Sequence, residues 1–318
     1  MQDWAQSAQD ASAAVLNGPN PGVGAFVVRR SESRNVMRIA VTGGTGFIGG
    51  RLIPRLRAHG HESVLLRHGD DWPAVTLDGM DAVIHLAGEP VAQRWTADAK
   101  RRIRESRVEG TEGLVRALAD TARRPAVLIS GSAIGFYGDR GDEDLTEEST
   151  PGGGFLAGVT REWEAAADDA AALGIRVVKI RTGIVLGREG GTLAKLLPIF
   201  RAGIGGRVGS GRQWMSWIHA DDMAELLVFA VEQGGVCGAL NGTAPKPATN
   251  AEFTRQLAAA LHRPAVFPVP LFALRLLYGE MAEVVVGSQR VLPRATEAAG
   301  FQFRYPELRG ALEQLLGT

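Results

Sequence analysis

The chain has 318 residues, 35 basic against 35 acidic, and 45% hydrophobic composition. It is long enough for one large α/β unit or two modest domains, and its balanced charge argues against a nucleic-acid or anionic-membrane partner. The single Cys237 excludes a disulfide framework and a cysteine-based metal cluster, the six histidines lack zinc spacing, and no apolar stretch spans a bilayer. These features predict a cytoplasmic globular protein without a metal site. Residues 1–36 mix small and polar residues around "NGPNPG", with no basic start or apolar centre of a secretory signal. They read as a weakly ordered extension produced by an upstream start codon, with Met37 opening the fold; the alternative is a short helix docked on the domain.

Arg38 to Thr42 (RIAVT) is apolar, β-branched and short, which predicts a buried parallel strand, and Phe47 to Ala58 shows helical periodicity. Between them lie Gly43, Gly46 and Gly49. The first suits a sharp turn, the second lets a pyrophosphate approach the backbone, and the third lets helix and strand pack closely. The amides that open the helix, together with its dipole, would bind the phosphates. This assigns Gly43, Thr45, Gly46, Phe47, Ile48 and Gly49 to a dinucleotide cradle.

The next strand, Ser63 to Leu66, ends in Arg67. An acidic residue there would grip the ribose 2′-hydroxyl of NAD, whereas an arginine suits the 2′-phosphate of NADP. No carboxylate competes until Asp70 and Asp71, so the sequence favours NADP(H) over NAD(H). Further strands are predicted at Ala82 to Leu86, Ala126 to Ser130 and Arg176 to Arg181, and helices at Ser106 to Ala119 and Thr160 to Leu173. Such alternation gives a doubly wound parallel α/β sheet of the Rossmann type.

The motifs "TGGTGFIG" (42–49), "HLAGEP" (85–90), "SRVEGT" (106–111), "SGSAIGFYGD" (130–139), "RTGIVLG" (181–187) and "WIHADD" (217–222) resemble the extended short-chain dehydrogenase/reductases, NAD-dependent epimerases and dehydratases among them. With "GEMAEVVVGSQRVLP" and "GFQFRYPEL", the chain is most similar to an epimerase-like oxidoreductase branch with its own C-terminal domain. The resemblance implies a nucleotide-binding domain over 37–240, with a substrate-side insertion at about 188–216, and a smaller substrate or cap domain over 241–318. It implies that Leu86, Ala87 and Gly88 line the adenosine side of the cofactor, that Ile184 and Val185 flank the nicotinamide, and that Arg107, where many relatives carry Asn, either reaches a phosphate or ribose or lies on the helix surface.

The wider family transfers its proton through Ser, Tyr and a Lys four residues after the Tyr. Four residues beyond Tyr137, Tyr278 and Tyr305 stand Gly141, Ala282 and Arg309, so that pair is absent, and "FLAGVT" occupies its expected place. Losing a positioned acid–base typically forfeits about 10²–10⁴ in rate. Ser132 and Tyr137 remain the candidate catalytic hydroxyls; equally, Ser132 satisfies its loop and Tyr137 packs at the pocket wall. The acidic run of Asp139, Asp142, Glu143, Asp144, Glu147 and Glu148 reads as a solvated lid; the alternative is that one of them acts as a base, which the sequence does not single out. Trp214, Met215 and Trp217 suggest an apolar cleft wall, and Arg207 and Arg212 meet an anionic substrate or solvent. Residues 278–286 are apolar enough to cover the cleft or to form a homodimer. Two functions follow: an NADP(H)-dependent oxidoreductase or epimerase-like enzyme for a small polar substrate, or a non-catalytic NADP(H) sensor.

Overall fold

The computed structural model describes residues 36–66 and 74–317. Arg67, Asp70 and Asp71, like the N-terminal extension, lie outside the described residues. From Val36 onward the chain forms one compact unit. No helix among the described residues is long and apolar enough to cross a membrane, and they hold no cluster of metal-ligating side chains.

Six parallel strands make the central sheet: β1 (Arg38–Thr42), β2 (Glu62–Leu66), β3 (Ala82–His85), β4 (Val127–Ala133), β5 (Arg176–Thr182) and β6 (Gly238–Gly242), in the order β6-β5-β4-β3-β1-β2. Side chains alternate across this sheet with the two-residue period of a strand. Ile39 and Val41 join Leu52, Leu56, Met223 and Leu226 in one core. Ala40 and Val83 join Leu114, Leu118 and Ala167 in the other. Helices Phe47–Ala58 and Ala220–Glu232 cover the first face, Val108–Ala119 and Phe155–Asp168 the second.

The chain leaves β1 for β2 on one side and returns to β3 on the other. Crossovers around β1 therefore diverge, and a cleft opens above its carboxyl end, where open α/β sheets hold ligands. The expected elements recur with shifted bounds. The helix predicted from Ser106 begins at Val108 after a separate helix, Ala97–Glu105, and the one predicted from Thr160 begins at Phe155.

A third core gathers Leu193, Leu197, Phe200, Trp217, Phe253, Leu257 and Leu312. The pairing of 184–186 with 217–219 joins it to the core on the sheet, 214–215 pairs with 248–249 within it, and 144–145 pairs with 290–291 in a separate small core around Tyr137. Helix Asn250–Ala260 starts on a capping box in which Thr249 and Glu252 satisfy each other's backbone. Pro264, Pro268 and Pro270 keep the following apolar run out of a helix until Leu271, and Gly279, at φ +61°, ends helix Leu271–Tyr278 before two shorter turns.

Candidate functional site

Gly43 adopts φ +67°, and a Cβ there would stand 2.7 Å from the Leu86 carbonyl carbon. At Gly49 a Cβ would meet the Gly43 oxygen at 2.4 Å, so the helix start packs against the strand end only without a side chain. Gly46 differs: its Cβ would meet nothing nearer than the Gly43 oxygen at 3.2 Å. The space it leaves belongs to the cleft. Gly46 is also the N-cap of helix Phe47–Ala58 and supplies no side-chain acceptor, and the first turn holds no acidic residue. The amides of Phe47, Ile48 and Gly49 and the positive dipole end therefore stand ready for an anion. The cleft above them, about 550 Å³, is lined by Gly43, Thr45, Gly46, Leu86, Ala87 and Gly88, with Glu89 and Ser106 at its rim. The residues present fit a dinucleotide diphosphate.

Beneath the cleft a buried chain of polar groups fixes the second wall. The Thr42 hydroxyl accepts from the amides of Leu86 (3.1 Å) and Ala87 (3.2 Å), so its own proton goes to His85 Nδ1 at 2.7 Å. That leaves His85 Nε2–H to donate to Thr111 at 3.1 Å. Arg107 braces the loop from below: Nη1 donates to the carbonyls of Glu89 (2.9 Å) and Ile103 (3.2 Å), and its guanidinium lies 5.2 Å over the Trp163 ring. A Cβ on Gly88 would press on that guanidinium at 3.2 Å. Burial pulls the Arg107 pKa down to about 10, with Glu89 acting in the opposite sense.

On the far side the Phe47 ring is covered by backbone. Ideal Cβ atoms at Gly187 and Gly190 would fall 2.5 and 2.3 Å from it. Arg51, one turn along the same helix, pairs with Glu189 and, at 3.3 Å, with Asp221. Gly190 and Gly191 lie beyond the quoted motif that ends at Gly187; their signal is three glycines in five positions after a strand. Val185 puts its side chain in the core at 8% exposure, because the 184–186 strand pairs with Trp217–His219 above the sheet.

The two candidate catalytic hydroxyls point into a sealed network. Ser132 donates to Glu164 Oε1 at 2.6 Å, and Arg181 closes on both oxygens of the same carboxylate, Nε at 2.8 Å and Nη2 at 2.9 Å. Arg181 Nη1 donates to the Tyr137 hydroxyl at 3.0 Å, and that hydroxyl donates to Asn241 Oδ1 at 2.7 Å. Tyr137 is wholly buried and the other members nearly so. Burial raises the Tyr137 pKa despite the neighbouring Arg181, so its phenol keeps its proton at neutral pH. Burial opposes the Arg181 charge too, but Glu164 and Tyr137 outweigh it and hold the guanidinium above its usual range. As placed, neither hydroxyl is offered to a molecule in the cleft.

At the expected Tyr–Lys position, helix Phe155–Asp168 presents Leu156 and Thr160, and the Thr160 hydroxyl donates to the Leu156 carbonyl at 2.7 Å. A smaller cleft of about 160 Å³ borders this helix start, walled by Trp95, Gly135, Phe155, Leu156 and Val284, with Asp139 and Glu283 among its lining residues. Segment 282–286 thus reaches the cleft.

The acidic run is solvent-exposed, as expected, with only Glu147 half-buried, and it is also tethered to other segments. Asp142 accepts from Trp214 Nε1 at 2.8 Å, Asp139 from the Ser288 amide at 3.2 Å, and Asp144 pairs with Arg290 at 3.0 Å. Glu147 accepts from the amides of Asn241 (2.9 Å) and Ala295 (3.0 Å). Trp217, expected in the cleft wall, is fully buried in the third core with Nε1 bonded to the Lys246 carbonyl. His219 caps helix Ala220–Glu232 by accepting from the Asp221 amide at 3.0 Å, which leaves Nε2–H for Gln314 at 2.9 Å. Burial lowers its pKa from the usual 6.5.

Two family models match the chain: the NAD-dependent epimerase/dehydratase family over residues 39–241, and a domain of unknown function over 269–315. The mouse epimerase family protein SDR39U1 is 40% identical over 294 residues, 88% of this chain and 100% of that protein. Epimerase family protein YfhF of Bacillus subtilis is 37% identical across 88% of this chain and 98% of its own. The crystal structure of human SDR39U1 (isoform 2) with NADPH matches with a TM-score of 0.83 at 36% identity, covering 89% of this chain and 100% of that one. UDP-N-acetylglucosamine 4-epimerase from Bacillus cereus, at 18% identity and a TM-score of 0.70, shares the fold.

Proposed function

This chain belongs to the NAD-dependent epimerase/dehydratase family, and from that premise we propose that it is an NADP(H)-binding oxidoreductase or epimerase-like enzyme acting on a small molecule. The observation that carries the reading is the bare cradle at Gly46, a side-chain-free helix start facing a cleft of about 550 Å³. The phosphate form of the cofactor is supported by Arg67 in the sequence and by the human relative crystallised with NADPH. When bound, the nicotinamide supplies or accepts hydride.

The chain's own residues bind and orient. The amides of Phe47 to Gly49 hold the diphosphate, and the Thr42–His85–Thr111 chain fixes the loop at Leu86 to Gly88 against the adenosine half. The smaller cleft receives the substrate. At about 160 Å³, with Trp95, Phe155 and Leu156 as its apolar walls, it favours a compact molecule over a sugar diphosphate. With Ser132 and Tyr137 committed to the buried network, water in the cleft carries the proton.

The consumption of both hydroxyls also favours the second reading, a non-catalytic NADP(H) sensor. Fluorescence titration with NADPH and NADH tests the cofactor: NADPH binds more tightly, and Arg67→Glu removes that preference. Binding of neither nucleotide refutes both readings. Net oxidation of bound NADPH by a fractionated metabolite pool, or redox-neutral conversion of a metabolite in it, selects the enzyme; neither across all fractions selects the sensor.

A further inference from the structure

Three arginines, Arg207, Arg255 and Arg263, line a second cleft of about 330 Å³ whose remaining walls are alanine and threonine. It shares no lining residue with the nucleotide cleft. We propose that this cleft binds a phosphate monoester.

Helix Asn250–Ala260 supplies one wall, presenting Ala251, Thr254, Arg255, Ala258 and Ala259 at the spacing that shares a helix face. The other wall is Arg207, on the glycine-rich loop, and the stretch from Arg263 to Ala265. That second wall is held rigidly. Gly206 lies so close to the Phe267 carbonyl oxygen that a Cβ would stand 1.7 Å from it, and the Val269 amide donates to the Arg207 carbonyl at 2.8 Å. Arg207 Nη1 donates to the Ser210 carbonyl at 2.6 Å, and Arg263 Nε donates to the Arg201 carbonyl at 3.1 Å. Each bond positions a guanidinium while occupying one of its five donors.

Charge gives the class of ligand. None of the three cleft arginines forms an ion pair among the described residues, and no carboxylate lines the cleft. Three forked cations around one space suit a dianion with three terminal oxygens better than a single carboxylate. Small side chains on the floor leave room for the organic part of an ester. Val266 and Phe267, 69% and 58% exposed, adjoin the rim in sequence, so the ester could be a soluble metabolite or a lipid headgroup.

The test is a titration with inorganic phosphate at low salt, in the presence of NADPH, on the full chain and on Arg207→Gln, Arg255→Gln and Arg263→Gln. All three side chains are exposed, so the variants keep the fold. Each should bind phosphate roughly threefold to tenfold more weakly, while Arg275→Gln, outside the cleft, changes nothing. Equal affinity in all three variants, or no binding at all, overturns the proposal. Because the comparison is between arginine variants, its outcome is independent of whether NADPH occupies the glycine cradle. Glycerol 3-phosphate and vesicles of phosphatidate or phosphatidylcholine then separate the sources. Binding of the first points to a soluble ester, and phosphatidate-specific sedimentation points to a headgroup. Failure of both overturns the assignment.

Discussion

Two polar regions lie at the carboxyl ends of sheet strands, and they treat their hydrogen-bonding groups in opposite ways. After β1, the turn from Gly43 to Gly49 directs its amides outward into an open cleft. After β4, Ser132 and Tyr137 turn inward, onto Glu164, Arg181 and Asn241. The first region is built to be completed by something else. The second completes itself, and a group already paired in a low-dielectric interior costs a great deal to redirect. The same sheet thus carries an open turn after one strand and a self-satisfied hydroxyl network after another.

The largest effect should come from breaking the self-completed region. Glu164→Ala strands the Arg181 guanidinium in the core, where both partners are 6–7% exposed. Removing one partner of such a pair costs about 3–5 kcal/mol of stability, which urea unfolding would read as a large fall in midpoint. A change under about 1 kcal/mol would mean that water reaches the pair.

The converse variant attacks the open region. Gly46→Ala places its Cβ in the cleft with only the Gly43 oxygen at 3.2 Å to crowd it. Folding stability should shift by less than about 1 kcal/mol, while NADPH affinity falls by about 100-fold, or about 2.7 kcal/mol. Loss of both together would show that the glycine serves the fold rather than the ligand.

Tyr137→Phe sharpens the comparison further. Asn241 Oδ1 and Arg181 Nη1 lose their shared partner, so stability drops by about 1–3 kcal/mol. Fluorescence titration should find NADPH affinity unaltered. If turnover on an identified substrate vanished while unfolding stayed unchanged, Tyr137 would be catalytic after all.

The smallest effect is in pH. His219 is buried as a neutral cap, with Asp221, Asp222 and Arg51 as its charged neighbours. Its folded pKa is depressed, so at acid pH the unfolded chain binds the proton more readily. The stability it contributes is complete above the ordinary value of 6.5 and is lost as pH falls below it. Thermal melts between pH 7.5 and 5.5 should show a falling midpoint. His219→Asn, which retains a capping acceptor, should flatten that part of the slope; an identical slope in the variant would remove His219 as its source.

Local chemistry made the nucleotide cradle legible. A β-branched run, three glycines at fixed spacing and a periodic helix constrain one another within about twenty residues. Helix Phe47–Ala58 and the strand before it fall where the sequence puts them. Arg107 was ambiguous because a guanidinium beneath a loop and one on a helix surface have the same one-dimensional context; only the packing of Gly88 and Trp163 against it decides. The acidic run was legible in part. Its charge marks it as solvent-exposed, which it is, but no local pattern shows that the C-terminal segment returns to tether it through Ser288, Arg290 and the amide of Ala295.

The sequence by itself determined the parallel α/β architecture, the dinucleotide turn and the absence of a Tyr–Lys pair, since each depends on neighbours in the chain. Tertiary structure alone decided where Ser132 and Tyr137 point. Glu164, Arg181 and Asn241 stand 32, 44 and 104 positions away from the hydroxyls they engage. A hydroxyl's role is set by whichever charge the fold brings within 3 Å of it, and no local pattern encodes that meeting.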